Sequence, residues 1–102
     1  MAKVVYIAGP ITGVERYWEA FERAEDELNG MGYITISPAR LPMGMTNAQY
    51  MQISVASIDA ADAVFFLPGW EKSIGASFEI QYCRYIGKPH TATYSQLEEV
   101  LK

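Results

Sequence analysis

The stretch Ala63-Val64-Phe65-Phe66-Leu67 runs directly into Pro68-Gly69-Trp70-Glu71-Lys72-Ser73, and it indicates the fold of this chain. Its first five residues are apolar without interruption, as expected of a strand near the centre of a sheet. Proline and glycine then end the strand, and Ser73 suits the N-cap of a following helix. The segment therefore predicts a central strand, a loop and a helix.

The same alternation of strands and helices continues on both sides of that segment. We predict strands at Val4–Ala8, Tyr33–Ile36, Ala63–Leu67 and His90–Tyr94, and helices at about Glu15–Asn29, Asn47–Ala60, Ile74–Ile86 and Ser95–Lys102. Ser95 and Glu98 have the spacing of a capping box for the last helix. Strict alternation predicts a parallel α/β sheet of at least four strands in order 2-1-3-4, with helices on both faces.

Composition limits the classes of function. The 102 residues fit one domain, and the net charge of −4 comes without a cluster of Lys or Arg. Polymeric nucleic acid and anionic membranes are therefore not expected partners. One cysteine and one histidine argue against a zinc site and against a Ser-His-Asp triad. Without a signal-peptide pattern or a membrane-spanning apolar run, we expect a cytoplasmic protein.

Two loops should form the ligand site, because parallel sheets bind ligands beyond the carboxyl ends of their strands. Gly9-Pro10-Ile11-Thr12-Gly13 follows the first predicted strand, and Pro68–Ser73 follows the third. Gly9 and Gly13 would let a ligand approach the backbone, although a tight turn explains them equally well. Neither loop is a dinucleotide fingerprint or a P-loop.

Glu79 is the most informative residue of the third predicted helix. At about 100° per residue it lies about 140° from Ile74, in an arc with Gly75, Tyr82 and Ile86 that we interpret as apolar. A carboxylate buried there without partners would be strongly destabilising, so it needs hydrogen bonds or a ligand. The alternatives are a pairing with a structural arginine and a side chain that bends to solvent.

Three residues near the same edge have both a functional and a structural interpretation. Ser73 caps a helix, and its hydroxyl beside free helix amides also suits a phosphate or a sugar hydroxyl. Trp70 is a base-stacking wall or a lid over the core. Tyr6 ends the first strand, where ordinary core packing is the alternative.

These segments resemble the nucleoside 2-deoxyribosyltransferase-like superfamily, and within it the short branch found in phages and prophages. The similarity runs in order through Tyr6–Gly13, Ala61–Val64, Leu67–Glu79 and Gly87–Pro89, nearly the whole chain. Its most specific part is SxGxxxE, from Ser73 to Glu79. The resemblance implies one such domain over residues 1–102, with a flavodoxin-like (Rossmann-like) three-layer sandwich of four to five parallel strands.

The resemblance also implies a chemistry. The substrate would be a (deoxy)nucleoside or its 5′-monophosphate, whose N-glycosidic bond is cleaved by transfer or hydrolysis. Glu79 would be the nucleophile, Tyr6 would orient it, and Ser73 would bind a 5′-phosphate. The substrate-binding residues would be Gly9, Thr12, Gly13, Trp70, Ser73 and Gly75. No metal or other cofactor is implied, and a homodimer or larger homo-oligomer is expected.

One residue departs from the family pattern. The enzymes carry an aspartate eight residues before the position of Asp62, and this chain has Ser54 there. Serine is a poor general acid, so departure of the base lacks its usual assistance. The alternative function is therefore a nucleotide-binding or sensing module without turnover, and a third is a small interaction domain with a vestigial pocket.

Overall fold

A four-stranded parallel sheet is the centre of the computed structural model, which describes residues 2–102. The strands are β1 (Val4–Ala8), β2 (Ile34–Ile36), β3 (Ala63–Phe66) and β4 (His90–Thr91). The helices are α1 (Tyr17–Gly30), α2 (Asn47–Ala60), α3 (Ile74–Ile86) and α4 (Leu97–Val100). The strand order β2-β1-β3-β4 confirms the predicted order and the flavodoxin-like α/β class.

Alternating side chains of β1 separate two cores, one on each face of the sheet. Val5 and Ile7 pack with α1 and α4, whereas Tyr6 and Ala8 pack with residues of α2 and α3. Because successive strand residues point to opposite faces, this register alone directs the Tyr6 side chain towards α2 and α3.

The loops after β1 and β3 lie at the same edge of the sheet, as predicted. Val5 pairs with Ala63 and Ala8 pairs with Phe66, so the two strands end at the same level. Beyond them, a side chain added at Gly69 would come within 3.7 Å of Pro10. The two predicted ligand loops therefore contact each other.

Two of the segments that carry the family resemblance have structural roles at the opposite edge. The Asp62 carboxylate accepts a hydrogen bond of 2.8 Å from the backbone N–H of Val4, and so ties β3 to β1. The Lys88 ammonium donates to the carbonyl of Ala61 at 2.5 Å, just after α2 ends. These contacts stabilise the start of the sheet rather than the candidate site.

The C-terminal part differs from its prediction. β4 contains only His90–Thr91, because the Thr91 hydroxyl accepts from the N–H of Thr93 at 3.2 Å and turns the chain. A 3-10 turn over Tyr94–Gln96 follows, with Tyr94 stacked on Phe65. Ser95 lies inside that turn, so the predicted capping box is wrong.

The ends of the other helices and strands differ less from their predictions. α1 begins at Tyr17 rather than Glu15, after Arg16 in a left-handed conformation (φ 54°), and β2 begins one residue later than predicted. Within residues 2–102, no helix has the length and apolar character needed to cross a membrane.

Candidate active site

Glu79 lies in the second turn of α3 with its side chain directed inward. It is 7% exposed, so its predicted burial is confirmed. The direction predicted for the buried face of this helix was wrong, because α3 packs against α2 as well as against the sheet. Its buried face lies about 190° from Ile74 rather than about 100°. Ile86, placed in the predicted arc, is 41% exposed.

Two buried hydroxyls meet the Glu79 carboxylate. Tyr6 lies in the middle of β1 rather than at its end, and its hydroxyl donates to Oε2 at 2.9 Å. The Ser54 hydroxyl, from α2, donates to the same oxygen. The two hydroxyl oxygens are 3.4 Å apart. The strand and both helices of this layer thus each supply one polar side chain to a single point.

Only one oxygen of this carboxylate is occupied by hydrogen bonds. Among residues 2–102, no hydrogen bond reaches Oε1 of Glu79, yet no side-chain oxygen there is both buried and unpartnered. Oε1 therefore retains contact with solvent. The geometry leaves this oxygen free to meet a ligand while Oε2 is held.

The electrostatics of the site come from burial and hydroxyl dipoles. Burial raises the pKa of the Glu79 carboxyl, and the hydrogen bonds from Ser54 and Tyr6 act in the opposite direction. Burial, and next the Glu79 charge, raise the pKa of Tyr6 far above its ordinary value, so this phenol stays a donor. None of the ion pairs among residues 2–102 includes Glu79, so the structural-arginine alternative is not supported.

Ser54 is the site residue whose contact the sequence reasoning missed. Position 54 was identified only as a departure from the family pattern, not as a partner of Glu79. The available signal was its spacing, because Ser54 lies one turn before the apolar Ile58 on the second predicted helix, and residues four apart share a helix face. Ser54 and Ile58 are in fact the buried residues of that helix.

The predicted binding residues fall into separate groups. Ser73 is the N-cap of α3, as predicted, and its hydroxyl accepts from the N–H of Ala76 at 3.2 Å, next to Gly75. Trp70 packs on Phe66 with ring centroids 5.6 Å apart, in the layer of Tyr6, which supports its interpretation as a lid.

The first loop takes no part in the hydrogen bonds of this cluster, and its role in binding a substrate stays a prediction. Thr12 and Gly13 are exposed, and among residues 2–102 no hydrogen bond joins them to Tyr6, Ser73 or Glu79. Gly13 has φ 77° with open space around it, which matches the tight-turn interpretation.

Gly9 has a packing reason to be glycine. A Cβ at this position would lie 2.9 Å from the Cβ of Leu67, closer than two such atoms approach.

We expect Gly9→Ala to lower the free energy of unfolding by about 2 kcal/mol in urea denaturation, because neither backbone can yield. Gly30→Ala, at the end of α1 in open space, is the control and should change it by less than about 1 kcal/mol. A Gly9→Ala protein of wild-type stability that fails to bind nucleotides would instead indicate close approach of a ligand.

Glu79 lines neither of the two described cavities, but the smaller one borders its hydrogen-bond partner Tyr6. A cleft of about 490 Å³ lies beside α1, between Pro10, Tyr17 and Pro68, but its polar side chains are exposed and Glu79 does not line it. A cavity of about 40 Å³ is bordered by Tyr6 and the Ser37–Pro38 segment. We assign the site to the smaller cavity because it borders the buried polar cluster. Binding of a nucleoside there requires its wall to move, because such ligands need several hundred Å³.

Other reactive groups do not extend the site. Cys83 is buried, and burial together with the Glu79 charge raises the pKa of its thiol to about 11, as expected of an unreactive core thiol. Residues 2–102 hold no group of three or more His, Cys, Asp or Glu side chains that could bind a metal ion.

Comparison with known families connects this geometry to other proteins. Residues 3–91 match the family described as Domain of unknown function (DUF4406). The chain belongs to this family. No curated protein matches the DUF4406 chain.

A solved structure shares the fold of this DUF4406 protein. It is a 2-desoxiribosyltransferase from Leishmania mexicana, with a TM-score of 0.69 and 20% sequence identity. The match covers 86% of this chain and 61% of that chain, so the DUF4406 chain spans about three fifths of that enzyme's length. The likeness confirms the fold that the resemblance in the sequence implied. The phage-type branch stays a prediction.

Proposed function

We propose that this protein cleaves the N-glycosidic bond of a deoxynucleoside or its 5′-monophosphate, with Glu79 as the nucleophile. The observation that carries the proposal is a buried carboxylate with two hydroxyl donors on one oxygen and none on the other. The fold shared with a 2-desoxiribosyltransferase supports the substrate class. The Ser73–Glu79 segment supports the choice of nucleophile.

The proposed reaction has two displacements at the anomeric carbon. Oε1 of Glu79 forms a bond to C1′, the C1′–N bond breaks, and its electron pair leaves with the base. Water or a second base then attacks C1′, and the electron pair of the ester bond returns to the carboxylate. Two inversions retain the configuration, as in retaining glycosidases.

The hydroxyls of Tyr6 and Ser54 serve both displacements in this proposal. Their hydrogen bonds favour the ionised carboxylate, which burial disfavours, and they fix the side chain with Oε1 unoccupied. They also stabilise the carboxylate that is released in the second displacement. Both hydroxyls are positioned before the substrate arrives, so no reorganisation is needed during the reaction.

Departure of the base is the weak step of this proposal. Ser54 directs its hydrogen bond at Glu79, and a serine hydroxyl is in any case too weak an acid to protonate a leaving base. We expect the base to take its proton from solvent. The reaction should then be slow and should favour bases that leave most easily.

A substrate panel tests the proposed function. The protein is incubated with deoxynucleosides, ribonucleosides and their monophosphates, and free base is measured by chromatography. Released base supports the enzyme, and the other product, a free sugar or a new nucleoside, separates hydrolysis from transfer. Binding without release would support the alternative, a nucleotide-binding or sensing module.

The Ser73 cap gives a prediction about the 5′-phosphate. Its oxygen accepts from Ala76, which leaves the hydroxyl hydrogen free to donate to a phosphate beside the α3 amides. We expect calorimetry to show at least about tenfold tighter binding of a deoxynucleoside monophosphate than of the nucleoside. Ser73→Asp should remove this preference through charge repulsion, whereas Ser95→Asp, in the distant 3-10 turn, should keep it. Equal affinity of the wild type for both ligands would contradict the assignment.

A further inference from the structure

The chain between β2 and α2 is fixed at two points. At the first, Arg40 donates hydrogen bonds of 3.1 and 3.2 Å to the carboxylate of Glu25 on α1. At the second, Thr46 and Gln49 form the capping box of α2. We call the residues between these two points, Leu41–Met45, the lid.

The lid itself is held by few hydrogen bonds. The Leu41 N–H donates to the carbonyl of Pro38 at 3.1 Å. The Tyr50 hydroxyl, from the first turn of α2, donates to the carbonyl of Pro42 at 2.8 Å and accepts from the N–H of Met45 at 3.3 Å. Among residues 2–102, no other hydrogen bond reaches the lid. A single hydroxyl group therefore joins the two ends of this loop.

Packing adds little to these hydrogen bonds at the tip of the lid. Met43 is 82% exposed, and Gly44 has φ 96° with open space around it. Segments with few buried contacts open locally at a low cost in free energy. Gly44 also gives the backbone the freedom to change direction at this point.

We propose that the lid opens to admit the ligand to the smaller cavity, and that the Tyr50 hydroxyl holds it closed. Leu41 is the lid residue that lines this cavity. Displacing Leu41 would open the cavity of about 40 Å³ to solvent while the sheet and the long helices stay in place. This inference rests on the function proposed above, since it names the part of the wall that moves when a nucleotide binds.

The size of the cavity determines which conformation binds. The closed cavity is too small for a nucleoside, so the open conformation is the one that can accept it. The apparent affinity is then reduced by the small fraction of molecules that are open. Removing a contact that closes the lid should therefore tighten binding. Loss of a contact that merely stabilises the site would weaken it.

Thiol labelling tests the lid without any substrate. Ser37, which lines the cavity, is 7% exposed, so Ser37→Cys places a protected thiol there. In that protein, Tyr50→Phe should raise the rate of labelling by iodoacetamide about tenfold, because it keeps the ring and removes both hydrogen bonds. Peptide mass spectrometry separates the introduced thiol from Cys83, which lies in the core. Labelling of Cys83 reports opening of the whole fold and should not change.

The matched control removes a tyrosine hydroxyl from the other end of α2. The Tyr82 hydroxyl donates to Asp59 at 2.6 Å. Tyr82→Phe therefore loses a comparable hydrogen bond that does not involve the lid. It should leave the labelling rate of the Ser37→Cys protein unchanged.

A second variant weakens the closed lid by another route. Gly44→Ala places a side chain at a positive φ, which strains the closed conformation although no atom lies within 4 Å. It should also accelerate labelling of the Ser37→Cys protein. Gly32→Ala is its control, because Gly32 has φ 94° and equally open space in the turn after α1. The same strain there should not change the labelling rate.

Binding experiments connect the lid to the ligand. Stopped-flow mixing with the four common deoxynucleoside monophosphates should show association about tenfold faster for Tyr50→Phe than for the wild type, with a correspondingly tighter dissociation constant for those that bind. Faster labelling in a protein that binds none of these monophosphates would support the lid and contradict the proposed function. The two inferences can therefore fail separately.

Three outcomes would overturn the lid. One is a Tyr50→Phe protein in which the introduced thiol is labelled at the wild-type rate. Another is an equal acceleration at Cys83, which would mean that the whole fold opens. The third is faster labelling together with weaker binding of the monophosphates, which would mean that the ligand needs the lid closed.

Discussion

Glu79→Gln is expected to abolish base release, a loss of at least about 10³-fold, while nucleotide binding is retained. The neutral amide cannot form the ester to C1′, but it has nearly the shape of the carboxylate and keeps an oxygen that accepts from Tyr6 and Ser54. Chromatography of free base gives the rate, and calorimetry gives the affinity. Glu71→Gln, at an exposed glutamate before α3, is the control and should retain full activity.

The same variant allows a direct test for the covalent intermediate. Brief exposure of the wild type to substrate, followed by denaturation and peptide mass spectrometry, should find one deoxyribosyl adduct on the peptide that contains Glu79. The Glu79→Gln protein should carry none. Efficient base release by Glu79→Gln, or an adduct on another residue, would exclude Glu79 as the nucleophile.

Glu79 should also produce a characteristic dependence on pH. Burial raises the pKa of this carboxyl in the folded protein above its ordinary value of 4.5. The folded state thus binds the proton more tightly than the unfolded state, so stability falls as the pH rises from 4.5 to the folded pKa and stays lower above it. Glu79→Gln should therefore be more stable than the wild type at pH 7, and the difference should vanish below pH 4.5. The reaction rate should fall as the pH drops through the raised pKa.

Ser54→Asp is expected to destabilise the protein by about 3 kcal/mol at neutral pH. The family pattern alone would favour a faster reaction with aspartate at this position. The hydrogen bond to Glu79 reverses that expectation, because the change replaces a hydroxyl donor with a second buried carboxylate beside the first. Urea denaturation at pH 5 should find a much smaller loss in the free energy of unfolding, because the two carboxyls can share a proton there.

The matched control for this change is on the same helix. Ala56→Asp adds an identical carboxylate to α2 at an exposed position and should change stability by less than about 0.5 kcal/mol. Ser54→Ala removes the donor without adding charge, so it should move the acid limb of the rate to higher pH. A Ser54→Asp protein that is as stable as the wild type and faster would show that Ser54 faces the leaving base and not Glu79.

The sequence predicted the sheet well because its central strands are defined by local patterns. β1 and β3 are uninterrupted apolar runs that end in glycine or proline, and alternation with helices leaves few possible topologies. The length of β4 was overestimated, because the turn formed by Thr91 and Thr93 depends on a side-chain hydrogen bond that no periodicity reveals. Ser95 was misplaced for a similar reason, since the packing of the fully buried Leu97 fixes the start of α4.

The candidate site was predictable only in part. A carboxylate on the inward side of a helix can be recognised from its angle, and this identified Glu79. Its contact with Ser54 joins residues 25 positions apart, so it depends on how α2 packs beside α3. Gly9 was interpreted through its own loop, whereas its close neighbour is Leu67, the residue that follows β3.

The pairing of β1 with β3 also determines the order in which this protein can fold. Val5 pairs with Ala63, nearly sixty residues further along the chain, so the central ladder cannot form until the intervening chain has closed into a loop. Contacts between such distant positions slow folding, because a long loop has to close before any pairing is gained. The β1–β3 ladder should therefore form late and cooperatively, and its amides should exchange hydrogen with solvent together, through opening of the whole sheet.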